Sequence, residues 1–451
     1  MIGPVTRIVA WLALLLQFLW PRYLFLSVAG KGVSGYTALT ILLLLAAIGS
    51  FFVRRRLQAN VLDSLGSAKL LVGVFALLWI WRLMCDLFAG QIEGAAIATL
   101  IDFLYLGSWF ISGLIVFSDA RLRNALPYVI AISGITACAV GIIEYRTGTP
   151  ISRMYGFSSF AVGDSYQLDQ IGENLSRGGQ DRIRSLFSHP LVYGQIMGGL
   201  VPFSLFLIFS RRIPDKFLGL LLGAAIAVSI FLCNARSPWI VAGAGGMAFV
   251  SLYLFDPRRK IRLFLAMLLL LGATIAAPIA IGFVDQLQSG RTREEAISSG
   301  ARTAQANRGF TALRNSPILG FGHGSAVEYA ATLSYGGRRS SVDNYYLTTA
   351  VETGYVGLGI FCFALLAMML QGLHAIYASS SERERSLSCA AVSTIIALSS
   401  GLFVLSIMDS LSVIFSMAGL LAASSGATVI ARRQRRRALT YAAEARAATA
   451  S

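Results

Sequence analysis

Twelve arginines and no lysine lie in two long polar segments of the sequence. Residues 145–185 carry five of these arginines and residues 284–341 carry seven, against eight acidic residues in the two segments together. A guanidinium group can grip phosphate oxygens with two parallel hydrogen bonds, whereas lysine offers a point charge. The pattern therefore indicates a phosphate site among these arginines. The alternative is composition alone, because the whole chain has 34 arginines and 4 lysines.

Two histidines lie in or beside the same segments. His189 opens an apolar run, and His323 lies within the glycine-rich stretch 320–324. Each can act as a base or donate a hydrogen bond to a phosphate oxygen. The alternatives are structural, namely hydrogen bonding at a helix start for His189 and the filling of a turn for His323. Two histidines so far apart in the sequence do not predict a metal site.

The elements that must position these residues are membrane helices. Of the 451 residues, 56% are hydrophobic and 13% are charged, and the mean hydropathy is +0.67. Soluble domains hold much less apolar material, so a water-soluble enzyme is excluded. The five cysteines fall within or at the ends of apolar runs without paired spacing, which predicts neither a disulfide nor a metal site. We expect no cofactor.

A helix needs about 20 apolar residues to cross a bilayer. The sequence predicts an all-α, polytopic membrane protein with about 12 transmembrane helices and a large helical periplasmic loop. The runs lie near residues 7–26, 36–53, 69–88, 95–117, 124–144, 186–209, 217–233, 237–255, 262–283, 344–371, 387–407 and 411–431.

Basic residues mark every second connection, and lysine and arginine collect on the cytoplasmic side of short loops. Both termini are therefore predicted to be cytoplasmic, with the basic tail against anionic lipid, and the two long segments lie outside. The first run is too long for a cleaved signal peptide. The predicted divisions are helices 1–5 (1–144), a first periplasmic loop (145–185), helices 6–9 (186–283), a large periplasmic loop (284–341), helices 10–12 (342–431) and a basic cytoplasmic tail (432–451).

The large outer segment is predicted to contain a helix. A threonine and a glutamate with capping-box spacing begin it, and it should run over residues 292–315, until Ser-Pro and several glycines in 316–324 stop it. Arg302, Arg308 and Arg314 are six residues apart. At about 100° per residue they spread around the helix and cannot all face one anion.

Three charged residues lie inside apolar runs or at their outer ends, where charge is costly. Arg82 and Asp102 lie at similar predicted depth below the outer surface in consecutive runs, so they can form an ion pair. We favour this structural role over a contact with substrate. Arg236 lies in a very short outer connection, at the surface level where a lipid-borne phosphate would also lie.

Several segments together resemble the O-antigen ligase and polymerase superfamily in their order, spacing and placement around one large outer loop. The segments are residues 182–190, residues 234–237, Arg302 with residues 317–322 after it, and residues 342–347 with residues 352–357. With the topology, the resemblance extends over most of the chain.

The resemblance implies a metal-independent glycosyltransferase of the bacterial inner membrane, which uses sugars carried on undecaprenyl pyrophosphate at the periplasmic face. By position, Arg184, Arg236 and Arg302 match arginines that hold the diphosphate or the glycan. The expected partners are the lipid-linked oligosaccharide and membrane lipid, with chain-length regulators or export proteins as candidates and no nucleic acid. The predicted substrate-binding residues are Arg184, His189, Arg236, Arg302, Arg308, Arg314 and Asn344.

Such a transfer requires a base for the proton of the acceptor hydroxyl, and guanidinium groups would stabilise the charge on the departing pyrophosphate. Asp343 is the first choice, ahead of His323 and Glu352, and His189 is a further candidate. The alternative role of Asp343 is a helix N-cap, because Asp343 and Asn344 start the tenth run.

Two other functions stay open. Members of the ligase branch usually have His where this chain has Asp343, and the Asp-Asn form is more like polymerases of exopolysaccharide, capsule or O-antigen repeat units. A ligase that transfers finished polymer to lipid A core is the alternative within the enzymes. A transporter or flippase would also have twelve spans, but transporters tend to show repeated halves and ionisable residues at the midplane.

Overall fold

The computed structural model describes most of the chain, and two of the segments discussed above fall largely outside it. The ninth predicted run, 262–283, and residues 151–175 of the first outer segment lie outside the described residues. The described residues are 2–19, 25–28, 31–89, 94–150, 176–177, 180–254, 293–332, 342–379, 381–404 and 408–450.

These residues form helices joined mostly by short connections, with two small antiparallel hairpins. In chain order the elements are α1 (Pro4–Leu19), β1 (Phe25–Val28), β2 (Lys31–Ser34), α2 (Gly35–Val53), α3 (Arg55–Ser67), α4 (Lys69–Ala89), α5 (Ala95–Asp102), a π-helical turn (Phe103–Gly107), α6 (Ser108–Phe117), α7 (Ala120–Thr147), β3 (Ser176–Arg177), β4 (Gln180–Asp181), α8 (Pro190–Gly199), α9 (Val201–Ile208), α10 (Ile213–Leu232), α11 (Ser237–Leu254), α12 (Arg293–Leu313), α13 (Ala326–Tyr329), α14 (Tyr345–Ala378), α15 (Glu382–Gly401) and α16 (Met408–Ala450).

Nine helical segments in the described part of the chain are long and apolar enough to cross a membrane. They coincide with nine of the predicted runs, so the all-α, multi-pass class is confirmed. Two further runs form helices that fall short of that standard, because α1 has 16 residues and α15 begins with four charged residues. The total of about twelve spans and the periplasmic placement of the large loop stay predictions.

Small residues let the central helices approach closely. A Cβ atom added at Gly419 of α16 would lie 2.7 Å from backbone atoms of α6, and one added at Gly245 of α11 would lie 2.9 Å from the Ala397 side chain of α15. Close approach at small residues is how helices pack in a bilayer, where apolar surface alone gives little attraction between them. This packing fixes the helix ends that carry the site.

Ion pairs lie at the end of the bundle where the basic connections meet. Arg123 binds Glu384 at 2.9 Å, and Arg211 binds Glu382 at 2.6 Å. Both pairs join the start of α15 to neighbouring connections that were predicted to be cytoplasmic. The candidate functional residues lie at the opposite end of the same helices.

The predicted helix of the large outer segment is present as α12, within two residues of its expected ends. A small separate core packs the chain that follows α12 against the first turns of α14, through Leu313, Phe321, Ala326, Leu347 and Val351. This core holds the glycine-rich stretch 320–324 against the membrane helices.

Candidate functional site

Arg82, near the end of α4, is the centre of a buried charged cluster. Its Nη1 donates a hydrogen bond to the Tyr345 hydroxyl at 3.2 Å. Its Nη2 lies 3.5 Å from Glu352 Oε2 and 3.8 Å from Asp102 Oδ2. The ion pair that the equal depth of Arg82 and Asp102 predicted is therefore present. The guanidinium group holds together three helices, α4, α5 and α14.

His323 joins this cluster from the glycine-rich stretch. Its backbone N–H donates to Asp86 Oδ1 at 2.6 Å, and its Nδ1 lies 3.3 Å from Arg82 Nη2. Because a guanidinium group can only donate, Nδ1 accepts this hydrogen bond and the neutral ring carries its hydrogen on Nε2. Asp102 Oδ2 is farther from Nδ1, at 3.7 Å. We call Arg82, Asp86, Asp102, His323, Tyr345 and Glu352 the Arg82 cluster.

A break in α14 places the glycine-rich stretch. Gly354 has φ 70° and ψ −179°, which interrupts the helix, and the stretch before His323 fills the break. The N–H groups of Phe321 and Gly322 donate to the carbonyls of Val351 and Glu352, each at 2.9 Å. A break in a membrane helix must be satisfied in this way, because lipid offers no hydrogen bonds.

Glu352 is bound on both carboxylate oxygens. Its Oε1 accepts from the N–H of Gly324 at 2.9 Å, and its Oε2 faces Arg82. The side chain is 8% exposed. Two of the three residues predicted to be catalytic, His323 and Glu352, therefore meet at one guanidinium group.

The third, Asp343, lies just before α14 and pairs with α12. Its Oδ2 lies 3.6 Å from Arg302 Nε, and its N–H donates to Gln305 Oε1 at 3.1 Å. Burial raises the pKa of the Asp343 carboxyl, and the Arg302 guanidinium opposes this shift. Asn344, not Asp343, caps α14, since its Oδ1 accepts from the N–H groups two and three residues on.

Arg308 and Arg314 do not converge with Arg302. The face of α12 that packs inward carries Gln305, Gly309 and Leu313, which are buried. Arg302 lies close to this face by helical periodicity, whereas Arg308 and Arg314 lie on other sides and are exposed. The spread of the three arginines around the helix agrees with the prediction from their spacing.

A second cluster surrounds the start of α8. The buried carboxylate of Glu144, near the end of α7, accepts from the N–H groups of Arg184 at 3.2 Å and Ser185 at 2.6 Å. Arg182 Nε donates to the carbonyl of Cys233 at 3.0 Å, in the connection that carries Arg236. Arg184 is buried and Arg236 is half-buried. The segment that carries Arg182 and Arg184 therefore lies against the start of the connection that carries Arg236.

His189 is the N-cap of α8, as its structural alternative predicted. Its Nδ1 accepts from the N–H of Leu191 at 3.1 Å. Burial, followed by the charges of Arg182 and Arg184, lowers the pKa of His189 to about 4. The ring is therefore neutral at physiological pH, with its hydrogen on Nε2, and suits a donor better than a base.

This shift predicts a pH dependence of stability. In the unfolded chain, His189 is protonated below its ordinary pKa of 6.5. In the folded protein, the ring stays neutral until the pH falls to about 4. Folded stability is thus complete above pH 6.5 and falls by about 3 kcal/mol as the pH drops through this window. We expect His189→Asn, which preserves the cap, to lose less melting temperature between pH 7.5 and pH 4.5 in detergent than the wild type. Equal losses would contradict this assignment.

Both clusters lie at the same end of the bundle, on either side of the end of α15. The N–H of Tyr345 donates to the carbonyl of Leu402 at 3.0 Å. On the other side, Gln195 Nε2 of α8 donates to the carbonyl of Gly401 at 3.4 Å. The end of α15 therefore connects the helix that carries Tyr345 and Glu352 to the helix that His189 caps.

An apolar cavity of about 560 Å³ lies among α2 to α6. Thr99 and Phe103, which flank Asp102, line it, as do Trp79 and Leu83 beside Arg82. The lining carries almost no polar surface. The described residues include no group of three or more His, Cys, Asp or Glu side chains placed to hold a metal ion.

Sequence reasoning missed three members of these clusters, Asp86, Tyr345 and Glu144. Asp86 follows Arg82 by one helical turn, so its four-residue spacing from Arg82 could have found it. Glu144 ends the fifth predicted run, where a charge is unremarkable. Its role depends on backbone N–H groups forty residues away in the sequence.

Comparison with known protein families gives a match over one part of the chain. Residues 196–362 match a protein-family model described as O-antigen ligase. The predicted resemblance to the O-antigen ligase superfamily is therefore confirmed, on the segment that contributes Arg236, Arg302, His323, Asp343 and Glu352. No curated protein matches the chain.

Proposed function

We propose that the chain is a membrane glycosyltransferase that joins undecaprenyl-pyrophosphate-linked oligosaccharides. The proposal starts from the match of residues 196–362 to the O-antigen ligase family model. The protein acts at the periplasmic face of the bacterial inner membrane, with both termini in the cytoplasm. Its reaction polymerises the repeat units of exopolysaccharide, capsule or O-antigen. The observation that carries the proposal is that the candidate site residues of the matched segment lie at one end of an apolar helix bundle.

The distribution of charge supports a lipid-linked donor. Arg182 and Arg184 lie close enough to His189 for their charges to act on its neutral ring, and Arg182 also binds the end of the connection that carries Arg236. Displacement of a pyrophosphate from an anomeric carbon builds negative charge on the leaving oxygens, which fixed guanidinium groups stabilise. Arg184 has its backbone held by Glu144, so its position is set before a substrate arrives.

The pair of Arg302 and Asp343 supports the same reaction from α12. Arg302 is 44% exposed and can reach a ligand, while Asp343 holds its guanidinium at 3.6 Å. Asp343 stays a candidate for the base, and its ion pair gives it a second role as an anchor for Arg302. Arg308 and Arg314 are exposed and can contact the glycan that extends from the donor.

The family model's description favours a second candidate, a ligase that transfers finished polymer to lipid A core. The Asp at position 343, where the ligase branch usually has His, favours the polymerase. The two activities share a donor and differ in the acceptor. A single assay with both acceptors separates them.

We expect purified protein in lipid vesicles to convert an undecaprenyl-pyrophosphate-linked oligosaccharide into a ladder of longer glycans. Arg184→Ala, Arg236→Ala, Arg302→Ala and Asp343→Ala should each lower the rate at least about 100-fold, as the loss of one stabilising charge in a transition state does. Arg211→Ala is the matched control, because Arg211 is 87% exposed at the opposite end and should leave the rate unchanged.

Gel analysis of the labelled glycan gives the result. Attachment to added lipid A core without a ladder would replace the polymerase by the ligase. Movement of unmodified lipid-linked sugar across the vesicle membrane, without any new glycosidic bond, would replace both by a transporter.

A further inference from the structure

The apolar cavity among α2 to α6 lies apart from both charged clusters. None of the residues that line it belongs to the Arg82 cluster or to the group around the start of α8. Its walls are buried at Phe75 and Phe110, whereas Ala76, Ile80 and Leu100 on its rim are exposed. Because α4 and the segment from α5 to α6 are long and apolar enough to cross a membrane, the exposed rim faces lipid.

The cavity is deep enough for the acyl chain of one lipid leaflet. Along α4 its lining runs from Val72 to Leu83, and along α5 and α6 from Thr99 to Ile115. These stretches measure about 17 Å and about 24 Å at a rise of about 1.5 Å per residue. One leaflet takes up about half of a hydrocarbon core of about 30 Å. The lining carries almost no polar surface, so it suits an acyl chain and not a glycan.

Basic residues gather at one end of this cavity. Three consecutive arginines, residues 54–56, follow the last turn of α2, which contributes Phe51 to the lining. Lys69 begins α4 three residues before Val72, so the two share a face of that helix. All four basic side chains are exposed, and Asp63 is the one acidic residue in the sequence between them. We call these four basic residues the basic mouth of the cavity.

The basic mouth lies at the end of the bundle that is predicted to be cytoplasmic. A Cβ atom added at Gly3 would lie 3.3 Å from Arg54 Nη2, and the N–H of Ile2 donates to Asp119 Oδ2 at 3.1 Å. Asp119 directly precedes α7, whose first residues include Arg123 of the ion pairs described above. The basic mouth is therefore at the opposite end from the residues proposed to hold the pyrophosphate.

The helix α3 joins the basic mouth to the apolar walls. It has 13 residues, too few to cross a bilayer. Leu57, Val61 and Ser64 are buried, and a Cβ atom added at Gly426 of α16 would lie 2.6 Å from the Ser64 backbone. A helix with one apolar and one polar face lies in the plane of the lipid headgroups. Val61 and Leu65 also line the cavity, so charged and apolar surfaces adjoin at this helix.

Two other occupants suit this place less well. The polyprenyl chain of the donor would match the apolar walls, but its pyrophosphate is proposed to bind at the opposite end and would leave the basic mouth without an anion. A second copy of the chain would have to present an acidic surface here, and the chain has 38 basic residues against 22 acidic ones.

We propose that the cavity and its basic mouth form a binding site for an anionic phospholipid. One acyl chain fills the cavity, and the phosphate of the headgroup binds Arg55, Arg56 and Lys69. Guanidinium groups hold phosphate oxygens with parallel hydrogen bonds, and basic pockets between membrane helices on the cytoplasmic side bind anionic headgroups. A lipid that binds only the folded chain stabilises it. This site does not depend on the proposed glycosyl transfer.

The test measures the melting temperature of delipidated protein in neutral detergent as phosphatidylglycerol is added. We expect phosphatidylglycerol to raise it, whereas phosphatidylethanolamine with the same acyl chains, which has no net charge, should leave it nearly unchanged. The combined variant Arg55→Gln, Arg56→Gln and Lys69→Gln should raise the phosphatidylglycerol concentration needed at least about tenfold, because each basic residue near an anionic headgroup adds to binding.

The matched control is the combined variant Arg211→Gln, Arg212→Gln and Lys216→Gln. These residues are also two arginines and a lysine, are exposed, and lie at the same end of the bundle around the start of α10. This variant should respond to phosphatidylglycerol as the wild type does.

A further variant tests the cavity itself. Ala76→Trp places an indole ring in the cavity that Ala76 lines, and it should abolish the response to phosphatidylglycerol at concentrations that saturate the wild type. Leu77→Trp adds the same ring at the next residue, which is 45% exposed and does not line the cavity. It should keep the wild-type response.

Equal responses to the two phospholipids, or equal responses of the two combined variants, overturn the site. If undecaprenyl pyrophosphate raises the melting temperature and Ala76→Trp removes only that effect, the cavity holds the tail of the donor and the proposal is wrong. A dimer in lipid-free detergent that Ala76→Trp dissociates assigns the cavity to a second copy and also overturns it. If Ala76→Trp does not fold, the two combined variants, which change only exposed side chains, decide alone.

Discussion

Arg82→Met is expected to lower the free energy of unfolding by about 3–5 kcal/mol, which is the usual cost of removing one partner from a buried ion pair. Arg82 is 7% exposed and lies within 4 Å of two carboxylates. Without the guanidinium group these carboxylates have no compensating charge in a medium that solvates ions poorly. The measurement is thermal unfolding of detergent-solubilised protein, followed by size-exclusion chromatography.

Two further variants make this result specific. Arg211→Met removes an arginine that is 87% exposed in its ion pair, and an exposed pair contributes about 0–1 kcal/mol. Arg82→Met combined with Glu352→Gln should recover part of the lost stability, because it removes one of the uncompensated charges. If Arg82→Met and Arg211→Met have the same melting temperature, the Arg82 cluster does not stabilise the fold.

Gly354→Ala is expected to destabilise the protein by at least about 3 kcal/mol, since the backbone conformation at this position is essentially confined to glycine. At φ 70° and ψ −179° an L side chain is strained, and the added Cβ would collide with the carbonyl oxygen of Ile318. The collision would also displace the stretch that ends at His323, so glycan synthesis should be lost in the variant.

Gly359→Ala is the matched control on the same helix. A Cβ atom at Gly359 meets nothing within 4 Å, and alanine favours a helix over glycine by up to about 1 kcal/mol. We expect this variant to melt at or slightly above the wild-type temperature and to keep its activity. Equal melting temperatures for the two variants would contradict the role of the break in α14.

The sequence predicted the helices well because each must present about 20 apolar residues to lipid, and this requirement is visible in a single run. Depth counting also paired Arg82 with Asp102, since two charges at equal depth in apolar helices relieve each other's cost. The arginines of α12 were predicted to diverge, and they do.

The convergence of the site was not predictable in the same way. His323 meets Arg82 across 241 residues of sequence, and no local pattern encodes which helices pack together. The glycines of α14 illustrate the limit, because nothing in the sequence distinguishes Gly354 from Gly357 and Gly359. Only Gly354 of these three has a positive φ, and Gly359 borders open space.

The origin of the Arg82 cluster limits how this molecule can be divided. Three of its six members come from α4 and α5, upstream of the segment that matches the family model. A chimera that exchanges only residues 196–362 with a relative would bring His323 and Glu352 against an unrelated α4. Moving the intact Arg82 cluster between scaffolds will therefore require that the amino-terminal helices travel with the matched segment.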